Sequence, residues 1–98
     1  MIVMVHSTLL QFRLKHSTSA SALNKWYDLV SKADWNSLRD IQEMFPSADY
    51  VGNDRYVFNI KGNSYRLVAM IHFRTRTLYI RFIGTHAEYD KIEDCSKI

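Results

Sequence analysis

Two hydrophobic periods divide the chain, and they change at Pro46. Before it, Leu23, Trp26, Tyr27, Val30 and Ala33 recur three and four apart, a spacing that predicts an amphipathic helix from Ala22 to Ala33. Ser37 followed by Asp40 resembles the acidic variant of a capping box. Leu38, Ile41, Met44 and Phe45 then continue as a second helix, which Pro46 stops. Further upstream, Leu9, Phe12 and His16 predict a short helix over residues 8–15, and the apolar Met1–Val5 a short opening strand. After Pro46 the period is two. Arg55–Ile60, Ser64–Phe73 and Thr77–Ile83 read as three strands, the first two joined by a tight hairpin at Lys61-Gly62-Asn63. Gly84 ends the last strand, and Thr85-His86-Ala87-Glu88 matches the capping box, so a final helix should begin at His86. The expected fold is α+β: a small antiparallel β-sheet flanked by N-terminal helices and a short C-terminal helix.

Parity within the last two strands separates a dry face from a wet one. Tyr65, Leu67, Ala69, Ile71 and Phe73 point one way, and Arg66, Val68, Met70 and His72 the other. In the next strand Leu78, Ile80 and Phe82 are wholly apolar, whereas Thr77, Tyr79, Arg81 and Ile83 are mixed. The economical register places the two apolar sets under the helices, because a one-residue slip would bury Arg81. Arg66, His72, Tyr79 and Arg81 are then expected together on the opposite face, where guanidinium groups beside aromatics can hold phosphates and stack unpaired bases.

Composition narrows the class. Ninety-eight residues, 47% hydrophobic and 23% charged with three Gly and one Pro, can bury a modest core and exclude a disordered or collagen-like chain. One domain, residues 1–98, is expected. Cys95 is the only cysteine, so a disulfide scaffold is excluded, and the scattered His6, His16, His72 and His86 lack the spacing of a structural zinc site. Met1–Val5 is too short for a signal h-region or a membrane span, so a soluble, cytoplasmic protein without membrane association is expected.

Charge is informative through its distribution. The net charge is only +3, but residues 55–87 contain no carboxylate, where 10 acids in 98 residues would place about three. The window holds Arg55, Lys61, Arg66, Arg74, Arg76 and Arg81 with His72 and His86. Such a stretch is either a solvated edge that keeps strands apart or the footprint of a polyanion site. The excess of Arg over Lys suits bidentate recognition of phosphate. His86 and Tyr89, three apart at the start of the final helix, form either a surface pair on a capped helix or an acid/base pair at the rim of the basic sheet.

The C-terminal half, F-P-S-A-D-Y-V-G-N-D-R-Y-V-F-N-I-K-G-N-S-Y-R-L-V followed by Y-I-R-F-I-G-T-H-A-E-Y-D-K-I, resembles the HigB toxins of type II toxin–antitoxin modules. K-W-Y-D-L-V-S-K-A-D-W in the helical half fits the same family. HigB proteins belong to the RelE-like superfamily, and the resemblance implies a RelE-like fold and an mRNA endonuclease that acts mostly on ribosome-bound message. It also implies that Arg66, the Arg of Y-R-L-V, binds phosphate, that Tyr89 is functional, and that Lys61 is a base or a phosphate contact. RelE-like chains carry a catalytic arginine two residues after the strand-ending glycine; His86 stands there in this sequence. The turn Arg74-Thr75-Arg76 lacks the glycine of many relatives.

These readings combine into one expectation. No carboxylate cluster is available to hold magnesium, so no metal and no cofactor are expected. RNA carries its own nucleophile, the 2′-OH. Arg66 and Arg81 can stabilise the added negative charge, with Lys61, Arg74, Arg76, Tyr79 and His72 as further RNA contacts. His86, Tyr89 and Lys61 are the proton-transfer candidates, giving a catalytic set of His86, Tyr89, Lys61 and Arg66. The expected protein is a metal-independent endoribonuclease toxin that inhibits translation. Its expected partners are mRNA, the ribosome and a neutralising HigA-like helix-turn-helix antitoxin, the complex binding operator DNA through the antitoxin. The alternative is a non-catalytic RNA-binding or antitoxin-binding module.

Overall fold

Apolar alternation after Pro46 produces the sheet on which everything else rests. In the computed structural model, which describes residues 1–4, 12, 14, 16–62 and 64–98, five strands lie in the order β1-β5-β4-β3-β2. They are β1 (Ile2–Met4), β2 (Asp49–Gly52), β3 (Arg55–Ile60), β4 (Tyr65–His72) and β5 (Thr77–Thr85). The expected antiparallel pairing holds from β3 to β5, β2 adds a further antiparallel strand to β3, and β1 joins the edge of β5 in parallel. Among the described residues, helices α1 (Ala20–Lys32), α2 (Leu38–Met44) and α3 (His86–Asp90) accompany the sheet. Most of the helix expected over residues 8–15 lies outside the described residues, as do His6 and the Asn63 of the β3–β4 turn.

Helix α1 forms because Leu23, Trp26 and Val30 present one buried face to the sheet. Trp26 meets Phe58 of β3 edge to face, with ring centroids 5.5 Å apart, and Trp35 and Phe45 complete the cluster around that ring. Tyr27, counted on the same stripe from the sequence, is exposed. It sits about 60° around the helix from Val30, which leaves its hydroxyl in water. In α2 the expected Ser37–Asp40 capping box does not form. Asp40 reaches back to accept from the Asn36 amide at 2.8 Å, whereas the Ser37 hydroxyl makes no cap bond.

Strand β2 is an element that the sequence pattern did not predict. It is four residues long and mostly exposed, so it carries no apolar alternation. Its hairpin turn, Asn53-Asp54, has φ of 51° and 65°, the double left-handed conformation that a tight two-residue hairpin needs.

Strand β5 corrects the expected parity. The β4–β5 ladder runs regularly as Ile71 with Leu78 and Ala69 with Ile80, then shifts so that Val68 faces Phe82 and Leu67 faces Ile83. Arg81 is the extra residue of this bulge, and one extra residue exchanges the two faces beyond it. Ile83 therefore replaces Phe82 in the core beneath the helices, where it is 5% exposed. Phe82 joins Arg66, Val68 and Met70 on the opposite face. That face is not wholly wet, since Val57 and Val68 are buried on it. Helix α3 packs on β4 and β5, and the short 3-10 turn Cys95–Lys97 packs on β2, so the C-terminal segment forms a partial second layer.

Candidate active site

Helix α3 starts where its sequence predicts. The Thr85 hydroxyl accepts from the Glu88 amide at 3.2 Å, and the Glu88 carboxylate accepts from the Thr85 amide at 2.9 Å. The strand can run straight into this helix because Gly84 has no side chain. A Cβ there would lie 2.6 Å from Phe82 Cζ and 3.2 Å from Glu88 Cβ. Helix α3 thus descends onto Arg66, which faces Gly84 across the β4–β5 ladder.

Three of the expected residues meet at this point. Arg66, half-buried on β4, donates from Nη2 to His86 Nε2 at 3.0 Å, and its guanidinium carbon lies 5.2 Å from the centre of the Tyr89 ring. His86 Nδ1 lies 3.0 Å from Asp90 Oδ2. Arginine can only donate, so in this arrangement Nε2 is the accepting nitrogen and Nδ1–H donates to Asp90. A carboxylate, an imidazole and a guanidinium therefore stand in line, the carboxylate fixing which ring nitrogen keeps its lone pair. Asp90 was not singled out from the sequence. The signal was present in its four-residue spacing from His86 on one helix face.

The other expected residues are placed elsewhere. Lys61 lies exposed in the β3–β4 turn, at the Arg66 end of the sheet, since Asn59 faces Arg66 and Ile60 faces Tyr65. It lines a shallow groove with Lys25, Trp26, Leu29 and Phe45 on the helical side. His72 and Tyr79 do share the Arg66 face and meet edge to face with centroids 6.0 Å apart. However, His72 is six residues along β4 from Arg66, roughly 20 Å away. Arg74 is exposed in the β4–β5 turn at that far end. Arg76 is engaged by the scaffold: its Nε pairs with Asp34 at 3.0 Å and its Nη1 donates to the Trp35 carbonyl at 2.6 Å. Arg81 projects from the bulge and donates to the Ile98 main-chain oxygen at 3.2 Å.

Comparison with known proteins bears on the same elements. Residues 19–92 match the family described as HigB toxin, RelE-like toxic component of a toxin-antitoxin system. The chain belongs to the HigB toxin family. It is 37% identical over 79 residues to the mRNA interferase toxin HigB of Escherichia coli strain K12, covering 78% of this chain and 72% of that protein. It is 31% identical over 80 residues to the mRNA interferase HigB of Escherichia coli O6:H1 strain CFT073, covering 80% and 78%. The resemblance carried by K-G-N-x-Y-R-L-V and G-T-H-A-E-Y-D is thereby borne out. Within this HigB chain the matched span includes Arg66, His86, Tyr89 and Asp90 and ends before Cys95. Among the described residues no helix is long and apolar enough to cross a membrane.

Tyr89 has a clearly displaced acidity. Burial foremost, then a hydrogen bond with the Cys95 thiol and the charge of its thiolate, push its pKa from 10.0 up to about 12, against the opposing pull of Arg66. The phenol therefore keeps its proton throughout the neutral range. A folded value above the unfolded one stabilises the fold at pH below 10.0, and that contribution disappears as pH rises towards about 12. Phenolate absorbance of the parent chain minus that of Tyr89→Phe should show a single late titration, and Cys95→Ala should move it to lower pH. A Tyr89 that ionises like a free phenol would contradict this assignment.

Proposed function

We propose that this chain is an mRNA interferase that cleaves RNA without a metal ion by attack of the 2′-OH on the adjacent phosphate. The observation that supports it is the meeting of Arg66, His86 and Tyr89 on the exposed flank of the sheet. A phosphodiester placed against Arg66 gains a charge-assisted donor at the oxygens where negative charge accumulates. As Arg66 Nη2 turns from His86 Nε2 to the phosphate, that lone pair, which Asp90 orients, is freed to take the 2′-OH proton while the new O2′–P bond forms. The P–O5′ bond breaks, and the protonated Tyr89 phenol supplies the proton to the leaving oxygen. The products are a 2′,3′-cyclic phosphate and a 5′-hydroxyl, with a proton to be returned from His86 to Tyr89 through solvent. Lys61, in its exposed turn, acts as a phosphate contact rather than the base.

Membership of the family supports the biological reading. The chain is the toxic partner of a toxin–antitoxin pair acting in the cytoplasm on ribosome-bound message. Its antitoxin is HigA-like, and the complex binds operator DNA through that partner. Cleavage of message should persist in EDTA, with and without ribosomes compared in parallel, and should leave 2′,3′-cyclic or 3′-phosphate and 5′-hydroxyl ends. Ends carrying a 5′-phosphate, or a chemical step restored only by magnesium, would reject the 2′-OH route. Binding without cleavage under every condition would favour a silent RNA-binding module.

A further inference from the structure

A second convergent set of donors lies on the same face as Arg66, and part of the protein's own backbone occupies it. Arg55 opens β3, where it faces Met70, four residues along β4 from Arg66 and roughly 13 Å distant by strand rise. Its Nε and Nη2 both donate to the main-chain oxygen of Ile98, at 3.1 and 2.8 Å. Arg81 adds a third N–H to the same oxygen at 3.2 Å. The Arg55 Nη1 is turned away to the Asn53 carbonyl at 2.8 Å, which fixes the direction of the fork. The two arginines reach one acceptor from β3 and β5, across the intervening β4, and Arg81 does so from the bulge. A bulge commonly re-aims a side chain in this way. Three guanidinium N–H groups on one oxygen form the donor set that also recognises a phosphate oxygen.

Apart from these arginine bonds, the segment that provides the oxygen is tied down at the surface. The Asn53 side chain donates to the Ser96 carbonyl at 3.0 Å, and Asp94 accepts from the Ser96 amide at 3.0 Å and its hydroxyl at 2.6 Å. All three bonds are exposed, and Lys97 adds only a surface pair with Asp94 at 3.8 Å. Exposed bonds of this kind open at little free-energy cost compared with the buried sheet.

We propose that Arg55 and Arg81 form a second phosphate site for the RNA strand and that residues 94–98 are an autoinhibitory strap that the incoming backbone displaces. This rests on the reading that Arg66 binds an RNA phosphate. A separation of roughly 13 Å makes the second site address a different phosphate of the same strand. The strap also carries Cys95 against Tyr89, so its lifting uncovers both the second site and the catalytic edge of α3.

The test uses the full chain and an RNA oligonucleotide that is 2′-O-methylated throughout, which binds but lacks the nucleophile. Asn53→Gly removes the strap's tether while keeping a residue suited to φ 51°. It should tighten binding several-fold. Arg55→Ala with Arg81→Ala should weaken binding about 10-fold, lower the slope of log affinity against log salt by roughly 0.7, and abolish the gain from Asn53→Gly. Cys95 should react faster with a thiol reagent when the oligonucleotide is bound. Thermal unfolding of each variant separates these effects from loss of fold. If Arg66→Ala weakens binding while the Asn53→Gly affinity and the Cys95 rate stay at parental values, the strap is overturned and the main reading stands. If Arg66→Ala leaves binding unchanged, the RNA reading itself fails.

Discussion

Arg66→Ala is expected to lower single-turnover RNA cleavage by about 10³-fold or more while the chain stays folded. Removal of one preorganised donor to a developing oxyanion typically accounts for ~10²–10³ of rate. In this site the same guanidinium also holds His86 through Nη2 and lies against the Tyr89 ring, so its loss disorders both proton-transfer groups. The core beneath the helices should persist, because Leu67, Ala69 and Ile71 point to the other side of β4. Arg66→Lys is expected to recover little. An ammonium keeps the charge but has no planar fork with which to bind the phosphate oxygens in a bidentate way. Thermal unfolding and cleavage should be measured on the same preparations. A variant that cleaves at the parental rate would remove Arg66 from the mechanism, and one that unfolds would make it a structural residue.

The location of that arginine was legible in the sequence, whereas the surface around it was only partly so. Strict alternation through Tyr65–Phe73 assigns Arg66 to the face away from the helices, and the structure agrees. The same argument misassigned Phe82 and Ile83, because a bulge is an insertion into pairing and leaves no mark on the period of one strand. The start of α3 was readable to the residue, since a capping box is a local reciprocal bond between Thr85 and Glu88. The parallel pairing of β1 was not, because three apolar residues carry no information about a partner more than seventy positions away. Charge count alone also could not separate Arg66 from Arg76. Both are arginines in the acid-free window, but Arg76 meets Asp34 and the Trp35 carbonyl, contacts set by the turn between α1 and α2. The structure divides one basic window into an end where Arg66 meets His86 and Tyr89, a clamp where Arg76 holds the helical scaffold, and a middle where Arg55 and Arg81 share the Ile98 oxygen.

His86→Ala and Tyr89→Phe are each expected to lower the rate at saturating RNA by roughly 10²-fold or more, the usual scale for a positioned acid or base. Affinity for the 2′-O-methylated strand should change little, because the phosphate contacts belong to the arginines. The two residues stand together for a local reason: they are one turn apart on a helix whose first residue the Thr85–Glu88 cap fixes. Tyr89, held as a phenol up to about pH 12, is suited to giving a proton and unsuited to removing one. On the proposed mechanism that leaves the base to His86, in the tautomer that Asp90 imposes. Asp90→Ala should therefore reduce the rate at saturation by less than His86→Ala, with no change in affinity, because it frees the ring without removing it. Point variants are the right instrument, since residues 86–98 also form the partial layer on the face that buries Val57 and Val68. Should His86→Ala and Tyr89→Phe weaken binding yet cleave normally at saturation, these side chains position the strand and do not transfer protons. The base would then have to come from the β3–β4 turn, where Lys61 is the nearest candidate at the same end of the sheet.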